Sequence, residues 1–129
     1  MRFDKFTIKA QEAVQTAESI AHRYNHGTLD PEHLLAALLE QRDGVIPPLL
    51  AALGAQPGAL KSDLEQILAG KPKVYGDSSQ TLLSPQLNKA LHNAEAEAAQ
   101  LKDEYVSTEH LLLAIGEVQS EARDLLRRH

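Results

Sequence analysis

The stretch LDPEHLLAAL, residues 29–38, returns 77 positions later as the near copy VSTEHLLLAI, residues 106–115. In both copies a residue suited to a helix N-cap, Asp30 or Ser107, precedes an acid in the first turn and a leucine run. An apolar residue stands before each cap, as in the hydrophobic staple of many helix starts. The repeated stretch therefore predicts two equivalent capped helices.

The same offset relates the preceding residues without a gap, from Phe6 opposite Leu83 onward. Thr7 and Ser84 stand at equivalent positions, and both suit an N-cap. Apolar residues with the spacing of a buried helix face follow at matching positions, namely Ala10, Ala13, Val14, Ala17, Ala21 and Tyr24 in the first copy and Leu87, Ala90, Leu91, Ala94, Ala98 and Leu101 in the second. The sequence therefore predicts an internal duplication.

Further helices are predicted after the repeated stretch. The first copy is followed by two predicted helices, VIPPLLAALG and PGALKSDLEQILAG, and the second copy by one, SEARDLLRRH. A connector is predicted at KPKVYGDSSQT. We expect one all-α domain made of two pseudo-symmetric four-helix repeats, the second of them truncated. It would span residues 1–129, with repeat 1 at about 6–70, a linker at 71–82, and repeat 2 at about 83–129 without a last helix. This asymmetry predicts that the chain is a fragment of a longer protein.

Composition narrows the function classes. The net charge is −5, with 13 basic against 18 acidic residues, so a nucleic-acid partner, which needs a basic face, is not expected. Cysteine is absent, which excludes disulfides and thiolate zinc sites. The N-terminus has no signal-peptide pattern and no apolar run is long enough to span a membrane. We therefore expect a cytoplasmic protein that does not bind membranes.

The paired Glu-His signatures raise the possibility of catalysis. Glu32 with His33, and Glu109 with His110, could bind a metal or transfer protons, separately or as one shared site. Their spacing differs from a helical HExxH zinc motif, and the acids are explained by the positive first turn of a helix. Phosphate-binding loops and nucleophile elbows are also missing. We therefore expect a binding module and not an enzyme, with no metal and no catalytic residue.

Several stretches together resemble the N-terminal repeat domain of the Clp family of ring-forming AAA+ ATP-dependent unfoldases. They are MRFDKFTIKAQEAVQTAESIA, LDPEHLLAALLEQ, LSPQLNKAL and DEYVSTEHLLLAI, and they favour the disaggregating branch of the family. The resemblance covers the whole chain and implies an eight-helix, two-repeat domain tethered to an ATPase ring. It also implies that ATP and Mg²⁺ act in modules outside this chain, which itself needs no cofactor.

The resemblance also implies partners and substrate-binding residues. The expected partners are unfolded or aggregated polypeptides, with a dedicated adaptor protein as the alternative, for a monomeric fragment of a homohexameric parent. Polar residues at the positions of Thr7, Asp103 and Glu109 are implicated in chaperone activity, and Glu32 matches an acid that protease-coupled relatives use. Leu87, Leu91 and Tyr105 are candidates for an apolar groove, although for each of the two leucines the sequence favours packing in the core over exposure in a groove.

Overall fold

The computed structural model describes residues 3–74 and 81–128, which form seven α-helices and two very short strands. The expected all-α fold is confirmed. Of the predicted linker, residues 75–80 lie outside the described residues. The elements are α1 Ile8–Arg23, β1 Thr28–Leu29, α2 Pro31–Glu40, α3 Ile46–Ala52, α4 Pro57–Ala69, β2 Leu82–Leu83, α5 Pro85–Gln100, α6 Thr108–Glu117 and α7 Glu121–Arg128.

The two long helices, α1 and α5, begin as the sequence predicts. The hydroxyl oxygen of Thr7 accepts a hydrogen bond from the Ala10 N–H at 3.1 Å. The hydroxyl oxygen of Ser84 accepts one from the Leu87 N–H at the same distance. Each bond satisfies one of the backbone donors that a helix start leaves without a partner.

The same two helices end alike, in a way the sequence did not predict. Asn25 and Lys102 have positive φ angles of 58° and 59°. The next N–H groups, of His26 and Asp103, donate back to carbonyls of the last helical turn at 2.9 and 2.8 Å. This is the Schellman arrangement, which usually places glycine at the positive-φ position. Asparagine is the usual substitute for glycine there, so Asn25 was a signal that the prediction missed, whereas Lys102 offers none.

Short extended segments tie the two repeats together. β1 pairs with β2 in parallel, and an isolated parallel bridge joins Phe6 to Val106. The pairs are equivalent under the offset of 77, because Leu29 matches Val106 and Leu83 matches Phe6. Segments of two residues are too short to show the alternation of a strand, so this pairing between the repeats was not predicted.

The core lies between the helices, with α2 enclosed by α1, α3, α4, α6 and α7. Leu87 and Leu91 are each only 1% exposed and belong to this core. Their assignment to a substrate-binding groove is therefore wrong, because α5 turns its apolar stripe inward and leaves neither side chain accessible. The other large side chains that are almost fully buried are Phe6, Ile20, Leu34, Leu35, Leu38, Ile46, Leu60, Leu64, Leu68 and Leu111.

Candidate functional site

The histidines of the two Glu-His signatures complete the caps of α2 and α6. Nδ1 of His33 accepts a hydrogen bond from the Asp30 N–H, and Nδ1 of His110 accepts one from the Ser107 N–H, both at 2.9 Å. In a capping box a Glu or Gln three residues after the N-cap plays this part. A histidine three residues after each N-cap was the available signal, but its part in the cap was not predicted.

The other ring nitrogen separates the two copies. Because Nδ1 accepts in both histidines, Nε2 carries the hydrogen. Nε2 of His33 lies 2.7 Å from Nδ1 of His26. Nε2 of His110 instead lies 3.0 Å from Oδ2 of Asp103. Burial lowers the pKa of His33 to about 4, and the nearby charge of Lys71 acts in the same direction. Burial also lowers the pKa of His26. Repeat 1 thus holds a pair of neutral imidazoles where repeat 2 holds an imidazole and a carboxylate.

These contacts do not assemble a shared metal or acid-base site. His33 and His110 are each bound within their own repeat, and the two acids also face different partners. Within residues 3–74 and 81–128, no three His, Asp or Glu side chains are grouped as metal ligands would be.

Glu32 is a buried structural acid. It is 3% exposed, and its carboxylate accepts hydrogen bonds from the Lys71 ammonium and from the Ala122 N–H, both at 2.9 Å. Burial works to lower the pKa of Lys71, but the hydrogen bond to Glu32 and the surrounding carboxylates outweigh it and raise that pKa. The assignment of Glu32 to a substrate-contacting surface is therefore wrong. It fixes α2 to α7 and to the segment after α4.

Glu109, at the equivalent position of repeat 2, is exposed. Its carboxylate accepts a hydrogen bond from the Thr108 hydroxyl at 3.0 Å. In the part of the chain that the structure describes, no lysine or arginine forms an ion pair with it. The same local motif thus gives a paired acid in one repeat and an available acid in the other.

Glu109 borders a shallow surface depression of about 460 Å³, here called the open face. Tyr105 is 53% exposed there and Asp103 lies beside it. Thr7 is adjacent, because its N–H donates to the Val106 carbonyl at 2.9 Å. The open face is lined by Leu101, Asp103, Glu104, Tyr105, Glu109 and Leu113, together with the capping pair Ser107 and His110.

The structure therefore groups four of the predicted site residues and separates the other three. Thr7, Asp103, Tyr105 and Glu109 lie at or next to the open face, whereas Glu32 and the two leucines of α5 are buried elsewhere. Among the described residues, those lining the open face include three carboxylates and no lysine or arginine. The open face therefore combines exposed apolar groups with negative charge.

Repeat 1 has a corresponding surface, here called the covered face, formed by His26, Gly27, Thr28 and Asp30. The chain's own segment Lys71–Val74 lies across it. The Val74 N–H donates to the Asn25 carbonyl at 2.7 Å, and the Lys71 ammonium reaches Glu32. From the sequence this segment is predicted to be part of a connector, and its packing on repeat 1 was not predicted.

Comparison with known proteins identifies relatives of this fold. Residues 5–129 match the family described as the Clp repeat (R) N-terminal domain. The chaperone protein ClpB of Nitratidesulfovibrio vulgaris is 42% identical over 118 residues, which is 89% of this chain and 14% of that protein. The chain thus spans about one seventh of the length of this relative. No helix among the described residues is long and apolar enough to cross a membrane.

Solved structures agree with this result. The Hsp104 N-terminal domain from Candida albicans superposes with a TM-score of 0.87 at 25% identity, covering 96% of this chain and 81% of that one. The N-terminal domain of the ClpV1 ATPase from E. coli gives a TM-score of 0.82 at 26% identity, covering 96% and 78%. The fold is therefore shared by N-terminal domains of several Clp-type ATPases.

Proposed function

Because this chain belongs to the Clp repeat (R) N-terminal domain family, we propose that it is the substrate-recognition domain of a ClpB-type disaggregating chaperone. Its open face would contact unfolded or aggregated polypeptide in the cytoplasm and help deliver it to the ring of the parent protein. ATP hydrolysis with Mg²⁺ belongs to other modules of that parent. The domain itself binds and does not catalyse.

The observation that carries the proposal is the composition of the open face. Tyr105 is half exposed beside carboxylates that pair with no lysine or arginine among the described residues. An aromatic ring and acids without a lysine or arginine partner among the described residues suit segments that expose both apolar and basic side chains, which folded proteins largely bury or pair. Similarity to ClpB and to the Hsp104 N-terminal domain supports the same class of partner.

Binding of this kind is expected to be weak. The depression is shallow, and a mobile polypeptide loses conformational entropy when it docks. Weak contact also suits a domain that must release its substrate to a pore. Affinities in the range of tens to hundreds of micromolar are on the order expected for such a small surface.

The direct test uses one polypeptide in two states. Ribonuclease A that has been reduced and carboxyamidomethylated stays unfolded, while native ribonuclease A has nearly the same composition but is folded. We expect fluorescence anisotropy to show that the chain binds the unfolded form at least about tenfold more tightly, because only that form exposes extended apolar segments. Equal binding of both forms, or no binding of either, would contradict the proposal.

A folded adaptor is the alternative partner. Affinity capture from lysate with the immobilised domain separates the two cases. A heterogeneous set of misfolded chains supports substrate recognition, whereas one folded protein bound at equal stoichiometry would replace it with adaptor docking.

A further inference from the structure

The segment Lys71–Val74, here called the strap, is attached to repeat 1 by one backbone hydrogen bond and one charged side chain. The Val74 N–H donates to the Asn25 carbonyl at 2.7 Å. The Lys71 ammonium lies 2.9 Å from the Glu32 carboxylate. The Val74 side chain is 53% exposed, so little apolar burial adds to these contacts. A segment held in this way can detach at a lower free energy than the unfolding of a helix.

A buried pair of histidines lies beside the strap. His26 lines the covered face together with the strap and is 6% exposed, and His33 behind it is 0% exposed. The Nε2–H of His33 donates to Nδ1 of His26 at 2.7 Å, and the Tyr24 ring stacks on His26 at a centroid distance of 5.3 Å. In repeat 2, His110 instead meets the Asp103 carboxylate. A proton added to the pair in repeat 1 therefore finds no carboxylate hydrogen-bonded to either ring among the described residues.

The charged groups that face the pair come from the strap and from the start of α2. Lys71 and Lys73 of the strap disfavour a proton on the pair, whereas Asp30 favours one. Lys71 is itself held by Asp30 and Glu32, at 3.4 and 2.9 Å, and lies 3.8 Å from Glu121 of α7. Burial is the largest cause that lowers the pKa of both rings, and the Lys71 charge lowers it further. An attached strap and a protonated pair therefore oppose each other.

A proton on either ring breaks a hydrogen bond that the neutral pair makes. On His26 the proton occupies Nδ1, which then faces the Nε2–H of His33 as a second donor at 2.7 Å. On His33 the proton occupies Nδ1, which can then no longer accept from the Asp30 N–H. Two donors at this distance repel each other, so the rings must separate. His26 moves toward the strap, because His33 is fully buried.

We propose that the pair His26–His33 releases the strap in acid: uptake of one proton breaks the hydrogen bond between the rings, places a cation beside Lys71 and detaches Lys71–Val74, while the helices stay folded. The release uncovers the face of repeat 1 that the strap closes at neutral pH. This device goes beyond the proposed function, because it needs no ligand and belongs to the repeat whose face is covered.

The direction of the pH dependence follows from the two protonation states. A histidine whose pKa is lowered by burial stabilises the attached strap fully above its ordinary pKa of about 6.5, and that contribution is lost as the pH falls toward the lowered value. For His33 the lowered pKa is about 4. A ring that regains a pKa of about 6.5 on release makes the detached form about twentyfold more frequent at pH 5 than at pH 7. Since release restores the ordinary pKa only in part, we expect an increase of at least about fivefold.

Amide hydrogen exchange of the ¹⁵N-labelled chain, followed by NMR, tests the release. The protection factor of the Val74 N–H, corrected for the intrinsic exchange rate at each pH, should fall at least about fivefold from pH 7 to pH 5. The Thr7 N–H donates to the Val106 carbonyl in the pairing between the repeats and should keep its protection. An unprotected Val74 N–H at pH 7, an unchanged protection factor at pH 5, or an equal fall at Thr7 would overturn the proposal.

A pair of variants assigns the effect to the histidines. His26→Gln removes the titrating ring and offers an amide oxygen to the Nε2–H of His33, so the change in Val74 protection between pH 7 and pH 5 should shrink below about twofold. His92→Gln makes the same replacement at an exposed position of α5 and should leave the full change in place. A full change that persists in His26→Gln would contradict the role of the pair.

The reverse coupling gives an independent readout. A Cβ at Gly27 would lie 3.2 Å from the Val74 side chain, so Gly27→Ala should loosen the strap and lower the protection of the Val74 N–H at pH 7. Because coupling between two equilibria is reciprocal, the ring resonances of His26 should then titrate at a higher pH than in the unaltered chain. A loosened strap with an unchanged titration of His26 would show that strap and pair are not coupled, and the proposal would fail.

Discussion

Replacing Lys71 by methionine tests the ion pair that distinguishes the two repeats. The ammonium lies 2.9 Å from the Glu32 carboxylate, and the two side chains are only 16% and 4% exposed. Removing one partner of a fully buried pair costs about 3–5 kcal/mol, because the other charge stays buried without compensation. Glu32 would keep its hydrogen bond from the Ala122 N–H, which compensates part of that charge. We therefore expect Lys71→Met to lower the free energy of unfolding by about 2–4 kcal/mol.

The assay is urea unfolding followed by far-ultraviolet circular dichroism. Lys73→Met removes the same charge from an exposed position of the same segment and should change the stability by less than about 0.5 kcal/mol. Adding Glu32→Gln to Lys71→Met removes the uncompensated charge, so the double variant should lose at least about 1 kcal/mol less than the two single changes combined. Equal effects of Lys71→Met and Lys73→Met, or strict additivity in the double variant, would refute the reasoning.

Three further predictions concern the caps, the core and pH. Thr7→Ala should cost about 1 kcal/mol in urea unfolding and Thr7→Ser much less, because the hydroxyl caps α1; equal losses would contradict this. Leu91→Ala should lower the free energy of unfolding by about 2–5 kcal/mol and Tyr105→Ala by under about 1 kcal/mol, because only the leucine is buried. A larger loss for Tyr105→Ala than for Leu91→Ala would contradict the burial of Leu91. The free energy of unfolding should fall by roughly 2 kcal/mol from pH 6.5 to 4.5, because His33 binds a proton in the unfolded chain but not in the folded one, where its pKa is about 4. His33→Gln keeps an acceptor for the cap and should flatten this slope. An unchanged slope would disprove the assignment to His33.

The helices were predictable because their signals are local. Thr7, Ser84 and Ser107 cap helices within three residues of themselves, and the apolar stripes of α1 and α5 need only a period of 3.6. The all-α class follows from these signals without knowledge of how the helices pack.

The difference between Glu32 and Glu109 could not be predicted in the same way. Both occupy the second position of a capped helix, and the three residues that follow each acid, His-Leu-Leu, are identical. Glu32 is buried because Lys71 and Ala122, both distant in sequence, converge on it. Contacts of that kind depend on the packing of α7 and of the segment after α4, which no local pattern encodes.

The covered face was missed for a related reason. Lys71–Val74 has no helical or strand periodicity, and its position is set by the Asn25 carbonyl and the buried acid. The positive φ of Lys102 was equally hidden, since lysine is an unusual residue at a helix C-terminus of this kind. Only the pseudo-symmetry of the folded chain relates these features to one another.

Of the two equivalent faces, only the one in repeat 2 should be available to substrate, because Lys71–Val74 lies across the other. Chemical-shift mapping of the ¹⁵N-labelled chain with unfolded ribonuclease A tests it most directly. We expect perturbations at Thr7 and at residues 102–109, with residues 25–32 unaffected. Perturbations centred on residues 25–32, or of equal size on both faces, would contradict it.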